Sequence, residues 1–226
     1  MKAATSPRIK ICCIQTEAEA TLAIQAGADA LGFVSAMPSG PGPIPDDLIA
    51  RIVARVPPPI ATFLLTSRQA AAAIAAQHSQ CRTSTIQLCD HVEAGAWAAL
   101  RSALPGIRLV QVIHVHGMES VDEARAAAPL VDALLLDSGD QRLAVKELGG
   151  TGRVHDWSVS RRIRETVDVP IFLAGGLRSE NVREAIESVG PFGLDVCSGV
   201  RTDGRLAPEK LVSFIAAARA ARPAAG

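Results

Sequence analysis

Short, nearly continuous apolar runs recur along the chain, each followed by a longer stretch in which apolar residues return every three or four positions. The first pattern suits strands buried on both faces of a parallel sheet, and the second suits helices that turn one face to a core. With Gly and Pro as punctuation, strands are predicted over 9–12, 30–34, 60–64, 85–88, 109–113, 133–137, 171–174 and 193–196. Helices are predicted over 17–26, 46–55, 68–78, 92–103, 121–128, 157–166, 179–189 and 208–221. Pro45-Asp46-Asp47 and Ser179-Glu180-Asn181-Val182 read as helix starts, while Gly27, Pro57 and Pro105 mark ends. Eight strand–helix pairs with no break in composition predict an α/β fold, a single (β/α)8 TIM barrel over 1–226 with flexible ends at 1–7 and 222–226. A doubly wound open sheet is the alternative, weakened as a dinucleotide binder because no G-x-G-x-x-G follows the first strand.

In a barrel, chemistry gathers at the carboxyl ends of the strands. Arg8-Ile9-Lys10-Ile11-Cys12-Cys13 puts a thiol there, and Cys12 is either a proton-transfer group or a small buried hydrophobe. The run Leu134-Leu135-Leu136-Asp137-Ser138 ends in a carboxylate, so Asp137 is either a general acid or base across the mouth from Cys12 or the cap of a turn. A long loop over 139–156 holds Gly149-Gly150-Thr151-Gly152 and reads as a lid or a binding element, with Lys146 and Arg153 either guiding an anion or merely solvated. Small residues follow the seventh strand in Ala174-Gly175-Gly176-Leu177 and the eighth in Asp195-Val196-Cys197-Ser198-Gly199-Val200. Backbone N–H groups there can face a phosphate, so Gly150, Gly175, Gly176, Asp195, Ser198 and Gly199 are the expected substrate- and phosphate-binding residues.

Composition narrows the ligand. Of 226 residues, 48% are hydrophobic but only 3% aromatic, with no Tyr, which argues against stacking surfaces for nucleic acid. Lys plus Arg balances Asp plus Glu at 23 each, so no global field draws the chain to DNA or to a membrane surface. The five cysteines Cys12, Cys13, Cys81, Cys89 and Cys197 lack CxxC spacing and read as free thiols of a reducing compartment, with Cys81 and Cys89 as core packing. His114 and His116 lack companion ligands, so no metal is expected, nor any other cofactor. The first residues carry no apolar leader and no run is long enough to span a bilayer, which predicts a cytoplasmic protein, as a monomer or a homodimer.

Taken in order, several segments resemble the phosphoribosylanthranilate isomerase family of tryptophan biosynthesis. They are Lys10-Ile11-Cys12, Gly27-Ala28-Asp29-Ala30-Leu31-Gly32-Phe33-Val34, Gln87-Leu88, Leu135-Leu136-Asp137-Ser138 and Gly149-Gly150-Thr151-Gly152 with Asp156-Trp157. Leu173-Ala174-Gly175-Gly176-Leu177 with Glu180-Asn181-Val182, and Pro191-Phe192-Gly193-Leu194-Asp195-Val196 with Ser198-Gly199-Val200, complete the likeness over almost the whole chain. The resemblance implies an Amadori rearrangement of a phosphoribosylamine, with Asp137 as general acid, Cys12 as general base favoured by Lys10, and no cofactor. Three departures stand out. Cys13 replaces the Gly that usually follows the base, Cys89-Asp90 replaces His-Gly, and the loop after the second strand, Ser35 to Ile44, lacks the Arg that holds the anthranilate carboxylate. The competing expectation is therefore a diverged paralogue acting on, or only binding, another phosphorylated small molecule.

Overall fold

In the computed structural model, which describes residues 6–221, the eight predicted strands pair in chain order and close on themselves. They are β1 (Arg8–Ile11), β2 (Ala30–Val34), β3 (Ala61–Thr66), β4 (Thr85–Leu88), β5 (Arg108–His114), β6 (Ala133–Asp137), β7 (Ile171–Leu173) and β8 (Gly193–Val196). Every neighbouring pair is parallel, and the seam joins β1 to β8 with Lys10 opposite Asp195 and Ile11 opposite Val196. The outer layer is α1 (Glu17–Ala26), α2 (Asp46–Val53), α3 (Ala71–Cys81), α4 (Ala96–Ala103), α5 (Glu119–Ala127), α6 (Trp157–Thr166), α7 (Val182–Val189) and α8 (Pro208–Ala220). Of the ends expected to be flexible, 1–5 and 222–226 lie outside the described residues; Pro7 is buried and its carbonyl accepts from Arg219.

Side chains alternate across each strand, and this alternation explains the unbroken apolar runs, because both faces are covered. Leu134 and Leu136 point outward and join Ile9, Leu64, Ile86 and Leu194 in a core packed against Ile49, Ile74, Leu100, Ile163 and Phe214 of the helices. Leu135 points inward and joins Phe63, Leu65, Val112 and Phe172 in a second core that fills the barrel. The barrel is therefore a packed floor, and only the ends of its strands are open to a ligand.

Helix boundaries follow local chemistry more closely than periodicity suggests. Thr16 caps α1 by accepting from the Glu19 N–H at 3.1 Å, and Asp156 caps α6 by accepting from Ser158 at 2.8 Å. α7 starts at Val182, three residues later than expected, because the Asn181 amide is used elsewhere. It accepts from Arg178 N–H and donates to the Gly176 carbonyl at 3.0 Å, tying the segment before α7 to the loop after β7. α3 and α4 likewise begin late, at Ala71 and Ala96. The strand pattern missed a small antiparallel hairpin, β9 (Arg201–Thr202) with β10 (Arg205–Leu206), turned by Asp203-Gly204.

Candidate active site

At the carboxyl ends of the strands one cavity collects side chains from the loops after β1, β2, β6, β7 and β8. Cys12 stands at the end of β1 and Asp137 at the end of β6, both buried, and both line it. Beneath Cys12 lies Lys10, a fully buried side chain that faces into the barrel. Its Nζ donates to Asp195 Oδ1 at 2.8 Å and to Cys12 Sγ at 3.6 Å, and sits 5.1 Å from the centre of the Phe63 ring. Burial alone would drive the Lys10 proton off, but the charge of Asp195, with a further contribution from Cys12, outweighs that and holds the ammonium above its usual range. A cation is thus fixed under the thiol.

Asp137 is positioned by its own loop. Its Oδ1 accepts from the Ser138 N–H at 2.7 Å, and Ser138 Oγ is in turn 2.7 Å from Thr151 Oγ1. A Cβ on Gly149 would come within 2.7 Å of Asp137 Oδ2, so the glycine backbone approaches the carboxylate where no side chain fits. The 139–156 loop is pinned by paired backbone hydrogen bonds between Asp140 and Glu147, and the Ser39 hydroxyl donates to the Lys146 carbonyl at 2.6 Å. Ser39, Gly40 and Pro41 of the β2 loop and Leu148 to Gly152 of the β6 loop therefore face one another over the cavity.

Gly175 and Gly176 after β7, Ser198 after β8, Gly150 and Asp195 also line the cavity. Gly199 does not. It packs sideways against the β7 loop, where a Cβ would come within 1.9 Å of the Leu177 carbonyl, and so it lets the β7 and β8 loops touch. Asp195, expected among the residues that hold substrate, lines the cavity and pairs through Oδ1 with Lys10 at 2.8 Å. Lys146 and Arg153, read as either anion guides or solvated charges, pair with Asp90 and Glu147. Among the residues lining the cavity there is no Lys or Arg.

Two lining groups escaped the sequence pattern. Gln87 of β4 points inward with its Oε1 lacking a hydrogen-bond partner, and a polar residue at an inward position of an apolar strand was the available signal. The apolar wall of Val34, Met37, Pro41, Leu65 and Leu148 comes from three separate segments and had none. His114 and His116 do not converge: His114 Nε2 meets the Cys89 carbonyl at 3.0 Å, and His116 lies 3.6 Å from Asp140. Burial pushes the Cys89 thiol far up and the Cys81 thiol up to about 12, as for packing sulfurs. Among the described residues no helix is long and apolar enough to cross a membrane.

A family model described as N-(5'phosphoribosyl)anthranilate (PRA) isomerase matches residues 9–217. An N-(5'-phosphoribosyl)anthranilate isomerase of Methanosarcina mazei is 35% identical, covering 92% of this chain and 92% of its own length. One from Haloferax volcanii is also 35% identical, over 96% and 95%. Among solved structures, a phosphoribosyl anthranilate isomerase in complex with reduced 1-(o-carboxyphenylamino)-1-deoxyribulose 5-phosphate is 26% identical. It superposes with a TM-score of 0.79 over 94% of this chain and 98% of its own. A structure of monomers generated from the dimeric enzyme of Thermotoga maritima, 26% identical, gives 0.77 over the same shares.

Proposed function

This chain belongs to the N-(5'-phosphoribosyl)anthranilate isomerase family, and on that premise we propose how its own residues carry out the reaction. The protein is an aldose–ketose isomerase of tryptophan biosynthesis, converting N-(5'-phosphoribosyl)anthranilate to 1-(2-carboxyphenylamino)-1-deoxyribulose 5-phosphate. Asp137 gives a proton to the ribose ring oxygen as the bond to C1 breaks, leaving an open-chain iminium ion. Cys12, as thiolate, removes the proton from C2 to give an enolamine. Tautomerisation then returns a proton to C1 and leaves a ketone at C2. One hydrogen has moved and nothing is oxidised overall, so the chemistry asks only for a placed acid, a placed base and a held substrate.

The observation that carries this assignment is that a thiol and a carboxyl group, 125 residues apart by their numbers 12 and 137, line one cavity at the mouth of the barrel. Lys10 supports the anionic form of the Cys12 sulfur from below, and Asp195 holds Lys10 in place. The phosphate rests against the backbone of Gly175, Gly176 and Ser198, where small residues leave N–H groups open to a dianion. The anthranilate ring lies on the apolar wall beneath Met37, Pro41 and Leu148, and its carboxylate, with no cation in the β2 loop, is met by uncharged donors and by water. A diverged paralogue with another substrate is not favoured, since the relatives sharing the isomerase description match over nine tenths of the chain. We place the enzyme in the cytoplasm, acting as a monomer or homodimer.

Growth complementation tests the assignment. A tryptophan auxotroph that lacks its own isomerase grows without tryptophan when it makes this chain. Well-folded protein that fails to restore growth counts against it.

A further inference from the structure

Beside the proposed base lies a second sulfur centre that the isomerase chemistry does not use. Cys13 Sγ and Cys197 Sγ are 2.7 Å apart, both free thiols, where the loop after β1 meets the loop after β8. The two must close by about 0.7 Å to reach the ~2.05 Å of a disulfide bond. The Cys12 N–H donates to the Val196 carbonyl at 2.8 Å, which holds the start of the loop after β1 against the end of β8, next to Cys197.

Cys13 is also held in an uncommon backbone state. Its φ of +61° lies in the left-handed region, where a side chain is disfavoured and glycine is at ease. Arg201 fixes it there: its guanidinium donates to the Cys13 and Cys12 carbonyls while pairing with Glu19 at 2.8 Å. The thiol is thereby aimed at Cys197.

We propose that Cys13 and Cys197 form a reversible disulfide site, oxidised by exchange with a low-molecular-weight disulfide. The Cys197 thiolate attacks one sulfur of the incoming disulfide, whose other sulfur leaves as a thiolate. Cys13 then loses its proton and attacks Cys197 Sγ, expelling the second thiolate. One external disulfide is reduced to two thiols, two protein thiols become one disulfide, and their two protons pass to the departing thiolates. The order follows from the surroundings. Cys197 is the half-buried member, and the hydrogen bond with Cys13 and the charge of Arg201 hold its thiol below the usual range. Cys13 is held well above its usual range by hydrogen bonds with Cys12 and Cys197 and by burial, so it is the resolving thiol. The bond leaves Cys12 free and ties the loop that carries it to the turn entering Ser198.

The purified full chain is incubated with oxidised glutathione or with dithiothreitol, denatured, alkylated and mapped. All five cysteines alkylate after reduction. After oxidation two drop out, recovered as one linked peptide pair joining Cys13 to Cys197. Because the bond spans 184 positions of sequence, the oxidised chain also unfolds at a temperature several degrees higher. Cys197→Ser and Cys13→Gly each lose the oxidant response; if a variant does not fold, the wild-type peptide map decides alone. Full alkylation after oxidation, a glutathione adduct that never cross-links, or a link that includes Cys12 overturns the proposal. These readouts count sulfurs and are independent of whether the chain turns over a phosphoribosylamine.

Discussion

Replacing Lys10 with Met keeps most of the side-chain volume and removes one charge from the barrel floor. It leaves the Asp195 carboxylate, only 8% exposed, without its partner at 2.8 Å. Breaking one half of a buried ion pair costs about 3–5 kcal/mol. The loss depends on pH with a definite sign. An unpaired buried carboxyl has its folded-state proton affinity raised above the unfolded value, so its penalty is absent at low pH and grows as pH rises. Lys10→Met is therefore expected to be close to wild type near pH 4 and about 4 kcal/mol less stable at pH 8, read from urea unfolding midpoints. Adding Asp195→Asn removes the stranded charge and recovers at least about 2 kcal/mol. The same charge acts on Cys12. At 3.6 Å the Lys10 Nζ donates a charge-assisted hydrogen bond to Cys12 Sγ, worth about 2 kcal/mol. Losing it corresponds to about a 30-fold loss in kcat and in the alkylation rate of Cys12 for Lys10→Met. Asp195→Asn alone removes the charge that holds the ammonium against its burial, so it slows both reactions as well. Additive single and double variants, or a Cys12 that reacts at the wild-type rate above Met, would refute the coupling.

Three further outcomes follow from single contacts. Gly199→Ala places a Cβ against the Leu177 carbonyl and drives the β7 and β8 loops apart, so KM for the phosphorylated substrate rises at least about tenfold, with a stability loss of about 1–3 kcal/mol. Gly149→Ala presses on Asp137 Oδ2, and the same steady-state kinetics should show a fall in kcat of about tenfold or more with a smaller change in KM. Burial raises the Glu19 carboxyl, but Arg201 and the Leu206 and Gln15 N–H groups more than reverse this and hold it below the usual range. Its stabilising share is present above the unfolded carboxylate range and is lost as pH falls. Glu19→Gln should thus cost about 2 kcal/mol at pH 7 and progressively less toward pH 3 in denaturant titrations.

The strands were legible because burial on both faces writes itself as apolar runs, and β2, β4, β6 and β8 coincide with the runs that predicted them. β1 stops at Ile11, one residue short of the expectation, because Cys13 turns into the left-handed region and ends the ladder. The start of α7 was obscured by Asn181, whose amide serves the β7 loop instead of the helix end. Cys12 and Asp137 were conspicuous as reactive groups closing apolar strands. The Lys10–Asp195 pair was not, since it arises only where the first strand meets the last, at a register no local pattern encodes. The β9–β10 hairpin did carry a signal, the two-residue Asp203-Gly204 turn with both residues at positive φ, outweighed by strands too short to show alternation.

Turnover of N-(5'-phosphoribosyl)anthranilate by the purified chain, set beside Cys12→Ala and Asp137→Asn, tests the acid–base assignment most directly. The wild type forms the deoxyribulose phosphate, and each folded variant falls by about 10²–10⁴ in kcat. An inert wild type, or either variant within about tenfold of it, contradicts a mechanism in which that thiol and that carboxyl move the protons.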